Sequence, residues 1–198
     1  MTVRWAGAAV LTSALCGCVA FEAIPVAELG CDPALAGRWV PHGMPAGDAI
    51  LIDEQCRALI PTAGRSAVDA EPVRLQFRSF EQDAQRYLVF DKADLERVAG
   101  LGANALAGSD LQSLDDEKFL LRYRIDGDNL QAAMNDQTYA RDAIDGGSLP
   151  GKSLAASLSL IQADAAAMPA LLREHPELFV AEGRGFAAFE RAGAERAR

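Results

Sequence analysis

Only two histidines, His42 and His175, occur in 198 residues. Catalytic triads and histidine-rich metal sites have little to build on, and no G-x-S-x-G nucleophile elbow is present. Positive charge is in deficit: 19 Lys and Arg stand against 28 Asp and Glu, a formal charge of −9. An acidic balance of that size argues against a nucleic-acid partner and against lying flat on anionic lipid. The apolar run at the N-terminus, Ala6 to Leu15, is half of the ~20 residues that a bilayer-spanning helix needs. Cysteine is limited to Cys16, Cys18, Cys31 and Cys56.

What is present begins with MTVRWAGAAVLTSALCGCVAF. Arg4 supplies a basic start and Ala6 to Leu15 an apolar stretch, the pattern of an export signal. Leu15-Cys16-Gly17-Cys18 resembles the bacterial lipobox, in which an apolar residue and two small ones precede the lipidated cysteine. Cys18 is the better register, because Gly17 then occupies the cleavage position and Leu15 the apolar one. The resemblance implies a signal peptide over 1–17 and acyl chains on Cys18. It also implies attachment to the outer membrane, since Val19 is not the aspartate of an inner-membrane retention signal. Residues 19–30 have no clear period and are expected, with Cys18, to form a lipidated tether (18–30). Removing Arg4 with the signal takes the formal charge from −9 to −10. Cys31 and Cys56 are then the remaining pair in an oxidising compartment and are expected to form a disulfide. As a metal site they would lack further ligands, so no metal is expected.

Residues 31–198 read as one β-rich domain. Short segments of alternating apolar residues recur between turn residues: 35–40, 49–53, 56–61, 73–80, 85–90, 118–126, 128–135, 153–161 and 185–192. In the fourth, Val73, Leu75 and Phe77 share one face and Arg74, Gln76 and Arg78 the other, the two-residue period of a half-buried strand. Asp126-Gly127 is a hairpin signal. Residues 92–102 can make a helical turn or two. Helices are expected over 136–145, with Asp136 as N-cap and Gly146 beyond its end, and over 165–175. The fold expected is mainly β (α+β): an antiparallel meander of about eight or nine strands forming a barrel or sandwich, with two short helices near the C-terminus.

GGSLPGKS, residues 146–153, matches the phosphate-loop pattern G-x-x-x-x-G-K-[ST]. Such a loop links a buried strand to a helix whose N–H groups face the phosphates. Here the polar TYARDAID precedes the glycines and a Leu/Ser alternation follows Lys152, so the expected order is helix to strand. No ATP or other cofactor is expected. Asp126-Gly127-Asp128-Asn129 lacks the spacing of a calcium loop, because Leu130 stands where a ligand belongs. Asp115-Asp116-Glu117 reads as a solvated loop.

LAGRWV, FLLRYRIDGDNL, AIDGGSLPGK and LLREHPELF, taken together, resemble a group of small bacterial envelope lipoproteins with a lipocalin-like β domain. The resemblance covers about residues 31 to 192 and implies no known ligand. The function expected is an outer-membrane-anchored, periplasm-facing lipoprotein acting as a non-catalytic binding or interaction module. Its partners would be the membrane, through the lipid, and an apolar small molecule or an envelope protein. Alternatives are a lipocalin-like carrier, with Trp39, Phe77, Tyr87 and Tyr123 lining a cavity, and an envelope hydrolase working through paired carboxylates.

Overall fold

The computed structural model describes residues 18–61, 71–99, 114, 116–155, 158–180 and 186–193. The expected signal peptide, residues 1–17, lies outside them. Among the described residues the chain is mainly β. The strands are β1 (Cys18–Phe21), β2 (Gly37–Pro41), β3 (Ile50–Ile52), β4 (Arg57–Ile60), β5 (Val73–Gln76) and β6 (Arg78–Gln82). They continue with β7 (Gln85–Phe90), β8 (Lys118–Asp126), β9 (Asn129–Ala133), β10 (Gly151–Ala155), β11 (Leu158–Ile161) and β12 (Phe186–Arg191). Three helices, α1 (Lys92–Ala99), α2 (Gln137–Asp145) and α3 (Met168–Glu174), complete it. No helix among the described residues is long and apolar enough to cross a membrane.

Hydrogen-bonded neighbours run β10-β11-β1-β8-β9-β12-β2-β3-β4-β5, and β7 joins β6 to β8. Most pairs are antiparallel, with β1–β11 parallel. β8 sits at the branch. One edge pairs with β7 over Phe119 to Tyr123. The other edge pairs with β1 at Lys118 and Phe119 and with β9 from Arg122 onward. Leu120 and Leu121 therefore have no registered partner on that second edge.

Both faces of β7 and β8 are covered where they pair most closely, which explains the short apolar runs Tyr87 to Phe90 and Phe119 to Leu121. One face supplies Tyr87, Val89 and Leu120 to a core with Val19, Phe21, α2 and α3. The other supplies Leu88 and Tyr123 to a core with Leu35, Trp39, Leu75, Phe77 and Phe189. Local signals behave as physical chemistry requires. Asp126 and Asn129 close the β8–β9 hairpin, with Gly127 at φ 56°. Asp136 caps α2 through Tyr139 N–H (3.0 Å). Gly146 N–H closes the helix on Asp142 O (2.9 Å).

Three expectations need correction, and together they raise the nine expected strand segments to the twelve described. The strand expected over 73–80 is bent at Phe77 into β5 and β6, and the strand expected over 153–161 becomes β10 and β11, an antiparallel pair. The segment 18–30, expected as a tether, is built into the domain. β1 is wholly buried between β11 and β8, Ile24, Val26 and Leu29 pack on the core, and Gly30 bridges to Ser79. Burial on both faces removes the alternation by which a half-buried strand is read.

Candidate ligand cavity

An apolar cavity of ≈ 180 Å³ lies between the strands. Trp39, Ile52, Leu75, Leu88, Leu130 and Phe189 bring one side chain each from β2, β3, β5, β7, β9 and β12 to its wall. A dry cavity of ~150 Å³ takes up a benzene-sized molecule, whereas drug-sized ligands need ~300 Å³ or more. The space therefore suits one small apolar group.

One end is fixed by Trp39, which is fully buried. Its Nε1 donates to Leu35 O (2.7 Å) in the Pro33–Leu35 turn. The Arg191 guanidinium lies 4.1 Å from its ring centroid and donates to Ala36 O (2.6 Å) and Ala34 O (3.1 Å). At the same end Tyr123 donates to Asp32 Oδ2 (2.7 Å), and Asp32 also accepts from Ala34 N–H (2.9 Å). Burial, followed by the bond to the Asp32 carboxylate, pushes the Tyr123 phenol above its ordinary value. Its hydroxyl is thus committed to structure, and only its ring serves the cavity. Cys31 and Cys56 are bridged, with Cα atoms 5.6 Å apart, which ties this end to the turn before β4.

The far end is different. Cys18, Phe119, Leu120, Leu121, Met134 and Asn135 belong to the wall there, around the unpaired edge of β8. Leu95 of α1 covers part of the same end. The helix is held down by Arg78, which reaches Asp91 (3.0 Å) and Asp94 (3.4 Å). Arg97 adds a 2.8 Å contact to Asp94.

Of the four aromatic residues proposed from face alternation, Trp39, Phe77 and Tyr123 stand in the cavity wall. Tyr87 does not. It pairs across the sheet with Arg122, whereas Tyr123 pairs with Arg86. Directly opposite residues share a face, so Tyr87 points the other way. It stacks on Phe80 (4.9 Å between ring centroids) and meets Phe179 (5.4 Å). Asn135 was missed; an asparagine just past a strand carries no sequence signal until its surroundings are known.

Asp91 and Asp94 are a close carboxylate pair near this end. A pair poised for acid–base exchange needs one pKa raised. At Asp91 burial works in that direction, but the Asp94 N–H and the Arg78 guanidinium outweigh it and hold the carboxyl below its ordinary value. The GGSLPGKS stretch runs from α2 into β10, helix to strand, with Lys152 exposed on the strand. A Cβ at Gly151 would collide with Leu160 O and crowd Ile144 Cδ1 at 3.0 Å. Gly151 thus serves sheet packing. Compared with protein families, with characterised proteins and with solved structures, the chain matches none.

Proposed function

We propose that this chain is a bacterial envelope lipoprotein, anchored through Cys18 to the outer membrane and facing the periplasm. Its β domain acts as a non-catalytic module that takes a small apolar ligand into its cavity. The cavity carries this reading: a hydrocarbon-lined space of ≈ 180 Å³ walled by most of the strands. Packed interiors keep few voids larger than water, so a space of this size suits an occupant.

A lipocalin-like barrel is the finer architecture we infer. β12 pairs with both β9 and β2. β5 and β6 are separated by Phe77 alone, whose N–H donates to Cys56 O (2.9 Å). Counting β5 and β6 as one bent strand makes β2 to β9 plus β12 a closed circuit, with Phe77 as its corner. The disulfide supports an oxidising location.

Acylation of Cys18 belongs to the unfolded precursor at the membrane. In a chain that folds without acylation the thiol is buried, and burial pushes its pKa up to about 11, leaving little thiolate to modify. The lipid is then joined directly to β1, which holds the far end of the cavity close to the bilayer. Labelled palmitate tests the anchor. Label is expected on the wild type and on Cys16→Ser, and absent from Cys18→Ser. Label that survives Cys18→Ser, or never appears, removes the anchoring claim.

A further inference from the structure

The outer face of the sheet over β2 to β5 departs from the polar pattern of a solvated face. Arg38, Leu51, Leu59 and Arg74 stand directly opposite one another across β2, β3, β4 and β5. Directly opposite residues share a face, so two leucines lie side by side with an arginine at each end. Trp39, Ile52 and Leu75, next in sequence, line the cavity on the inner face, so the row faces away from it. Leu51 is 45% exposed. A single exposed leucine is ordinary. Here the pair lines a groove of ≈ 840 Å³, within the ~300–1,000 Å³ of small-molecule sites.

The rim of the groove is basic. Arg57, Arg74 and Arg97 line it, and Asp53 is the one acidic residue of that lining. Arg57 is held by Asp53 (2.7 Å) and Arg97 by Asp94 (2.8 Å). Arg74 has no hydrogen-bond or ion-pair partner among the described residues. It lies diagonal to Arg57, which pairs with Gln76, and such neighbours are ~7–8 Å apart. Charge then limits the size of the occupant. The chain as a whole carries −9, so an extended anionic surface would meet the repulsion of the rest of the molecule. The occupant's charge has to be as local as the patch, a single headgroup.

We propose that this groove is a second ligand site, for a single-chain amphiphile with an anionic headgroup. The Arg74 guanidinium takes the headgroup in a forked pair of hydrogen bonds. The alkyl chain runs across the strands over Leu59 and Leu51. Arg57 and Arg97, each already held by a carboxylate, add field and no direct bond. Arg38, at the other end of the row, donates to Ala46 O, which leaves Arg74 to fix the direction of the chain. The site shares its strands with the cavity but not its face, so the two stand or fall separately.

The full chain carrying Trp5→Phe and Cys18→Ser keeps Trp39 as its sole indole and cannot be acylated at residue 18. It is titrated with undecanoic acid bearing a dansyl group at its far end, and with the methyl ester of that probe. Dansyl emission excited through Trp39 is followed. The acid is expected to bind saturably and more tightly than the ester. Arg74→Gln is expected to lower the acid's affinity about fivefold, the size of one exposed ion pair, and to leave the ester unchanged. Arg173→Gln removes the same charge away from the groove and should change neither. Leu51→Gln, at an exposed position that folding tolerates, should weaken acid and ester by the same factor. Excess benzene, matched to the inner cavity, should displace neither probe. Acid binding that survives Arg74→Gln at full strength, or falls equally in Arg173→Gln, overturns the site. So does displacement by benzene, which places the probe in the cavity, or the absence of saturable emission.

Discussion

Trp39 and Arg191 show how much one residue pair fixes. The indole is fully buried, yet its N–H is satisfied by Leu35 O. The Arg191 side chain covers the ring, its guanidinium feeding two carbonyls of the turn that precedes β2. Gly37 sits under this arrangement at φ 144°, where a Cβ would collide with the Arg191 guanidinium. Arg191→Ala removes a cation–π contact and two charge-assisted hydrogen bonds, so a loss of ~2–3 kcal/mol is expected in urea unfolding. Arg191→Lys should recover less than half of it, because an ammonium cannot both cover the ring and reach two carbonyls. Full recovery by lysine would show that charge alone matters. Trp39 was legible as a cavity aromatic from the alternation of its strand, and Cys31–Cys56 from compartment and elimination. Arg191 was not, because a partner 152 positions away leaves no mark in one sequence.

At the level of elements, the strands that expose one face were readable. β5 alternates, the β8–β9 hairpin announces itself through Asp126-Gly127, and α2 through Asp136 and Gly146. The fully buried β1 escaped. β1, Cys18-Val19-Ala20-Phe21, is apolar at every position and directly follows an export-like sequence, so only its pairing with β11 and β8 reveals it. Bends were equally invisible. Phe77 continues the alternation of β5, and its N–H still bonds Cys56 O in the register of the β4–β5 pairing, before β6 turns to pair with β7. The glycines of GGSLPGKS are an element-level matter too. Gly151→Ala forces a Cβ onto Leu160 O and Ile144, and a destabilisation of ~1–3 kcal/mol is expected from such overpacking. Gly147→Ala, at φ 75° with open space around it, carries only the left-handed penalty of ~1–2 kcal/mol. Thermal melts of the two variants check the order. A smaller loss at Gly151 than at Gly147 would mean that β10 shifts freely on β11.

For the whole molecule, charge and cavity set the testable behaviour. Asp91 is held below its ordinary 3.8, so its contribution is complete above that value and is lost as pH falls through the lower folded value. Acid also removes negative charge from a chain of −9, which relieves self-repulsion and opposes the loss. At physiological salt the repulsion is screened over about 8 Å, while the partly buried Arg78–Asp91 contact at 3.0 Å is screened less. Urea midpoints are therefore expected to hold from pH 7 to 5 and to fall below pH 4. Arg78→Ala should shrink that fall, and an equal fall in the variant would remove Asp91 from the account.

The central claim is that the space beside Trp39 admits an apolar guest. The direct measurement is Trp39 emission in the Trp5→Phe chain titrated with bromobenzene, a ring matched to the cavity. Quenching that saturates, and that disappears when urea unfolds the chain, is predicted. Quenching that rises linearly without a plateau, no steeper than in the unfolded chain, would contradict it.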